Sequence, residues 1–281
     1  MNNRRMNDLN REVKGLFVGL CTKDTIFYAD SLPLHNHKVK TTEFATYIGG
    51  PAANAAITYA ALGGDATLAT CLGNGMESRV LTEQLGKFGV TVLNYSDNDD
   101  VPNVASIVVT NDGMRTIVSG QHSFDVNREY DLGSYDFVLF DCNQQEISLD
   151  ILKKSDDKVI VLDAGSYKPN MHMFLDKADI IIASEDFRDE HGNTVFSMVS
   201  RAEHRAMTRG DAPILYNGKE LPVCKADAVD TLAAGDIFHG AFCFAYFANG
   251  HNCEEALLFA AKVAGESVKY RGPREWIKYW R

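Results

Sequence analysis

The sequence predicts an α/β fold, a ribbon of parallel strands doubly wound with flanking helices and carrying a small β-sheet lid. Three observations predict it. Short β-branched or apolar runs alternate with longer helical patterns, the helical patterns stop at glycines, and two segments of strand-like alternation interrupt that rhythm. Residues 16–20, 67–72, 137–141, 159–163 and 179–183 read as near-continuous apolar strands, the pattern of a parallel sheet buried on both faces. Helical patterns fall between and after them. Residues 52–62 end at Gly63-Gly64, 78–88 end at Gly89 and 254–270 end near Gly272, each glycine suited to a left-handed cap. The interrupting segments are 25–47 and 103–119, where 104–110, a turn at Asn111-Asp112-Gly113 and 114–118 read as a hairpin. Strands inserted in this way form a lid over the carboxyl ends of the main strands, so residues 15–281 read as one domain with an inserted lid.

With 281 residues and 45% hydrophobic content, the chain can bury a core of its own. Its net charge of -10 opposes attraction to nucleic acid and to anionic membrane surfaces, which makes a small molecule the expected partner. The six cysteines form no C-x-x-C pair and mostly sit in apolar surroundings, as suits a reducing cytoplasm. The amino terminus is polar, without the apolar stretch of a signal peptide, and the richest apolar run, 237–248, is interrupted by His239 and Gly240.

Most of the chemistry is concentrated in Asp230-Thr231-Leu232-Ala233-Ala234-Gly235-Asp236, which opens that apolar helix. Amides of a first helical turn have no intrahelical acceptor, and the helix dipole adds partial positive charge, so small residues here let a phosphoryl group approach. Asp236 can accept a hydroxyl proton; it can equally cap the helix, and the heptad alone leaves both readings open. Gly49-Gly50-Pro51-Ala52-Ala53-Asn54 reads either as a strand-to-helix turn or as a place where backbone approaches a ligand and Asn54 meets hydroxyls.

The heptad resembles Asp-Thr-x-Ala/Gly-Ala-Gly-Asp, the carboxyl-terminal signature of the ribokinase-like, or PfkB, carbohydrate kinases. That resemblance implies Asp236 as catalytic base and Ala233, Ala234 and Gly235 as an anion hole. The Gly49-Gly50 block resembles the amino-terminal signature of the same family, which implies Gly49, Gly50 and Asn54 at the substrate. Asp24 stands where the family ends its first strand with a substrate-binding carboxylate, although singly it also reads as a turn residue.

On the nucleotide side, Ser184 and Glu185 stand where relatives carry an Asn-x-x-Glu element for metal and phosphates, but Ser184 replaces the Asn and Phe187 the Glu. Glu185 or Asp186 can act on Mg²⁺ through water, or simply be solvated. Thr208 and Gly210 resemble the family's Thr-x-Gly nucleotide loop, without its second glycine, and Ala261 belongs to a helix of small residues that in the family flanks adenine. Asp230 matches the Asp that in many relatives holds a monovalent cation such as K⁺.

The Gly-Gly-Pro-Ala-Ala and Gly-Asp-Ile-Phe-His-Gly-Ala-Phe stretches look most like ketose kinases, including the sulfofructose kinase branch. Lys38 on the lid matches that branch's lysine, and a solvated lysine is the alternative. The branch's arginine after 137–141 is missing, Cys142-Asn143-Gln144 standing there, which argues against sulfonated or phosphorylated sugars. His35 and His37 read as solvent-exposed and His239 as packed against the sheet.

The expectation is therefore a cytoplasmic kinase using MgATP to phosphorylate a primary hydroxyl of a small carbohydrate, paired as a homodimer through its lid edges. Two alternatives stand beside it. One is a nucleoside kinase, with Phe27, Tyr28, Phe44 and Tyr47 around a base; the other is a catalytically silent sugar-binding regulatory protein, favoured by the altered Asn-x-x-Glu element.

Overall fold

The structure, a computed structural model, describes residues 13–41, 43–110, 115–250 and 252–280. The turn expected at Asn111-Asp112-Gly113 lies outside them. The chain begins with β1 (Lys14–Val18), buried on both faces after its first residue, and passes directly into β2 (Thr22–Ala29) and β3 (Phe44–Gly49). Helix α1 (Pro51–Ala61) starts with proline in its first turn, where no amide is needed. Then follow β4 (Asp65–Thr70), α2 (Met76–Lys87), β5 (Val90–Asn94), β6 (Asn103–Thr110) and β7 (Arg115–Gly120). The second half runs β8 (Phe137–Phe140), α3 (Gln145–Lys153), β9 (Val159–Ala164), α4 (Met171–Leu175), β10 (Ile180–Ser184) and β11 (His204–Arg209). It closes with β12 (Ala212–Tyr216), β13 (Lys219–Leu221), α5 (Ala234–Cys243) and α6 (Cys253–Ser267).

Nine strands form the main sheet in the order β13-β12-β11-β10-β9-β8-β1-β4-β5. From β11 to β5 neighbours are parallel, and β12 and β13 add an antiparallel edge. The α/β expectation holds. The sequence reading found five of these strands; β11 escaped it because its residues are half polar, and β5, β12 and β13 because strands at or next to the sheet's edges lack the two-sided apolar run. Two cores flank the sheet, as alternation along β1 dictates: Phe17 points into one with residues of α1, α2, α5 and α6, Leu16 and Val18 into the other with residues of α3 and α4.

A second, mixed sheet has the order β3-β2-β6-β7, β2 and β6 being parallel. Its strands leave the main sheet after β1 and after β5, and its third small core, Ile26, Ala105, Ile107 and Val109, faces Leu232 of the heptad. The lid therefore covers the carboxyl ends of the central strands, the position at which open α/β sheets bind ligands. It begins at Thr22, three residues before the expected boundary, so Asp24 lies within a lid strand and not at the end of β1. The apolar helix expected over 237–248 is α-helical to Cys243 and then widens into a π-helical turn, Phe244–Ala248, where Phe247 stacks on Phe137 at 4.1 Å. Among the described residues no helix is long and apolar enough to cross a membrane.

Candidate active site

The amino terminus of α5 is set by Ala233, held in the left-handed region at φ 61°, an uncommon conformation for a residue with a Cβ. From there Ile237 N–H donates to the Ala233 carbonyl at 2.9 Å and Ala234 N–H to Thr231 at 3.3 Å. The Gly235 and Asp236 amides are thus the first-turn donors that the helix itself cannot use. A Cβ on Gly235 would meet no atom within 4 Å, so the space in front of this turn is open. No side chain caps α5. Instead the Asp236 carboxylate turns aside, and Asn54 Nδ2 donates to its Oδ2 at 2.6 Å.

That pairing requires α1 and α5 to approach closely, and the small residues of both make it possible. A Cβ on Gly240, one turn beyond Asp236, would lie 2.3 Å from the Ala55 carbonyl oxygen. His239 is packed inward as expected, its Nδ1 2.7 Å from the Gly235 carbonyl and its Nε2 3.3 Å from that of Ile182. His35 and His37 lie in an exposed segment.

Both glycines of the amino-terminal block have steric reasons. A Cβ on Gly49 would stand 1.8 Å from Asp24 Oδ2, and Gly50, at φ 93°, passes so close to the chain that a Cβ would lie 2.2 Å from the Leu20 carbonyl. Asp24 is buried beneath the lid and accepts from Thr22 Oγ1 at 2.5 Å. Below the glycines, buried Asp141 at the end of β8 accepts from the amides of Leu20 (2.9 Å) and Ala52 (3.0 Å) on Oδ2 and of Asn143 (2.8 Å) on Oδ1. One carboxylate thereby ties the ends of β1 and β8 to the first turn of α1. Gln144, where a substrate arginine was sought, is committed to the end of β4, accepting from the Cys71 amide at 2.8 Å and donating to its carbonyl at 2.9 Å.

Burial raises the carboxyl groups of Asp24 and Asp141, in Asp24 against the opposing pull of the Thr22 hydroxyl and the Arg274 cation. Asp236 opens to the cavity in front of it but is otherwise enclosed by protein. Burial, reinforced by the Asp163 carboxylate and opposed by the Asn54 amide and His239, pushes it up to about 7. A carboxyl in that range can be ionised near neutrality and can also take up a proton, the property of a general base.

Two cavities flank the turn. One, of about 350 Å³, lies under the lid and is lined by Thr22, Asp24, Gly50, Asn54 and Asp236, with Ala233, Ala234 and Gly235 as its floor. The other, of about 330 Å³, is a mostly apolar slot between α6 and the sheet edge, bounded by Thr208, Gly210 and Ala261. Thr231 and Ala234 line both, so the cavities meet at the start of α5. Gly49 shapes the first from behind, through Asp24.

Other expected residues are not brought together there. Lys38 stands in the exposed stretch between β2 and β3, and it, Ser184 and Glu185 line neither cavity. Ser184 Oγ donates to the Gly165 carbonyl at 2.8 Å, Glu185 and Asp186 face solvent, and Phe187, in place of the family's acid, is fully buried. Asp230 is buried and lines neither cavity; its carboxylate accepts from the Leu232 and Gly272 amides, both at 2.9 Å, and from the Tyr28 hydroxyl at 3.2 Å. The aromatic set Phe27, Tyr28, Phe44 and Tyr47 does not line the acceptor cavity either; Phe44 points outward, 64% exposed.

Sequence reading missed Asp141 and three further residues. Arg115 on β7 is the one cationic side chain lining the cavity under the lid among the described residues, and its Nη1 donates to the Thr231 hydroxyl (2.8 Å) and carbonyl (3.2 Å). Arg274 binds Asn54 from the carboxyl-terminal segment. Asp163, the residue before the last of β9, has its Oδ1 3.7 Å from His239 Nε2. None stands in a local motif that would mark it.

A carboxylate raised toward neutrality, open helix-start amides and two meeting cavities are the parts that phosphoryl transfer to an alcohol requires. The comparisons agree with that class. Residues 14–278 match the model of the pfkB family carbohydrate kinases, and the chain belongs to that family. It is 26% identical to a ribokinase of Bacillus subtilis (89% of this chain and 91% of the relative covered) and 22% identical to a nucleoside kinase of Methanocaldococcus jannaschii (94% and 93%). The structure superposes on that of a ribokinase from Cryptococcus neoformans in complex with ADP with a TM-score of 0.79, at 20% identity, covering 95% of this chain and 97% of that one. None of these three is a ketose kinase.

Proposed function

We propose that this enzyme transfers the γ-phosphoryl group of ATP to a primary hydroxyl of a small carbohydrate bound under the lid, with Asp236 as the base. The observation that carries this reading is the meeting of the two cavities at Thr231 and Ala234, beside the only free amides of α5 and the Asp236 carboxylate. A small polar acceptor fits the lid cavity better than a nucleoside does, because its lining offers Asp24, Asn54 and Asp236 and none of the aromatic side chains a base would stack on.

Asp24 and Asn54 hold acceptor hydroxyls, and Asp236 takes the proton of the hydroxyl that attacks. The Gly235 and Asp236 amides and the Arg115 guanidinium face the charge of the phosphoryl group being transferred. The lid strands exclude water from that step. ATP supplies the activated phosphoryl group; the Ala261 side of the second cavity, flat and apolar, fits its base, with Thr208 and Gly210 at the polar rim.

Mg²⁺, when bound with ATP, would neutralise charge on the phosphates. The Asp230 carboxylate already has its donors, so the residues present do not call for K⁺, and no step here uses it. The outer lid face carries Phe44 and Val118, 64% and 69% exposed, a surface that suits a second copy of this chain; light scattering would give its mass in solution. To test the function, purified enzyme is incubated with MgATP and, separately, pentoses, hexoses, ketoses, sugar acids and nucleosides, and products are read by phosphorus NMR. A phosphomonoester of one sugar class supports the proposal; phosphorylation of nucleosides alone overturns the acceptor assignment.

A further inference from the structure

The orientation of the Asn54 amide is decided by a residue in no motif. Arg274 lies 220 positions away in sequence, and its Nη2 donates both to Asn54 Oδ1 and, at 2.9 Å, to the Ile48 carbonyl just before Gly49. Its Nη1 donates to the Pro273 carbonyl at 3.0 Å, while its Nε has neither a partner nor solvent contact among the described residues. Burial pulls the guanidinium down to about 10, with Asp236 and Asp24 pulling it back up, so it is a cation at neutral pH.

A carboxamide can be turned over with little change of shape, and only its partners decide which end is which. Arginine offers donors and no acceptor, so the Asn54 atom that meets it has to be the oxygen. The NH₂ group is then forced toward Asp236 and can only donate. Without Arg274 the amide can present its oxygen instead, which favours a protonated Asp236 as donor.

We infer that Arg274 is a positioning residue that locks Asn54 as a hydrogen-bond donor to Asp236 and thereby holds the base ionised. The kinetic consequence rests on the reading of Asp236 as base; the lock itself is measurable without turnover. A purely structural Arg274, tying the chain end to β3, would act on the titration of Asp236 through its charge alone, independently of Asn54.

The test is a titration of the Asp236 side-chain carboxyl by carbon NMR in protein labelled at aspartate, for wild type, R274M, R274K, N54L and the R274M/N54L double variant, each checked for folding by circular dichroism. R274M and N54L are each expected to move the midpoint upward by about one pH unit, and the double variant by less than the sum of the two. R274K keeps the charge but its ammonium ends one bond short of the Nη2 position, and it is expected to show a smaller upward shift. Should R274M not fold, R274K carries the decision. An unmoved midpoint in R274M or R274K, or an R274M shift that adds fully to that of N54L, overturns the inference. If the carboxyl midpoint moves but the acid limb of kcat/KM does not, the lock stands and the base assignment to Asp236 fails.

Discussion

Raising pH should weaken the fold while it activates the enzyme, and removing one carboxylate should reduce the first effect. In the folded chain Asp236 is raised from 3.8 to about 7, so between those values the native state holds a proton that the unfolded state has released. Stability then falls as pH rises through that window. A span of about three units at about 1.4 kcal/mol each sets an upper limit of order 4 kcal/mol for this one group. Asp24 and Asp141, also raised by burial, act in the same direction. D236N lacks the contribution, so its thermal midpoint should gain on wild type by several degrees between pH 4 and pH 8, measured by calorimetry without ligands. Activity runs the other way. The ionised fraction of a base titrating near 7 is about one tenth at pH 6 and about nine tenths at pH 8, so wild-type kcat/KM should rise about ninefold across that limb. A midpoint difference between D236N and wild type that stays constant with pH would refute the reasoning, because it would mean that Asp236 titrates alike in both states.

Three other outcomes follow from the site. G49A puts a methyl group where the Asp24 carboxylate now lies, so it should cost about 1–3 kcal/mol in chemical denaturation and raise the KM for the acceptor. R115A removes the cation that faces the lid cavity from an exposed strand; kcat/KM should fall about 10- to 100-fold while the thermal midpoint changes by less than about 2 °C. Cys224 is exposed and lines the second cavity, whereas the other five cysteines are buried, so a thiol reagent should find one fast site and saturating ATP should slow it.

How much of this was legible in the sequence depends on how local the physics is. The α5 turn is written in seven consecutive residues, because an open helix start needs small side chains in a row; Asn54 stood out in the second such block, but as a contact for substrate hydroxyls and not as the partner of Asp236. Asp24 was found but misplaced: the chain turns at 19–21 and is already in a lid strand at Thr22, a change that two adjacent apolar-rich strands conceal. Arg274, Arg115 and Asp141 were not legible. Each acts across a fold-made distance, Arg274 on Asn54, Arg115 on Thr231 and Asp141 on the amides of Leu20 and Ala52, and a single Arg or Asp in isolation carries no spacing signal. The Asn-x-x-Glu departure was visible, and the structure gives it a physical form: Phe187, at the position of the pattern's Glu, is fully buried in the core.

The most direct test of the account is the initial rate of ADP release from MgATP with a carbohydrate acceptor, compared between wild type and D236N at pH 8. The account predicts acceptor-dependent ADP release by wild type and a loss of at least about a hundredfold in kcat for D236N with acceptor binding retained. Equal rates in the two proteins would contradict it.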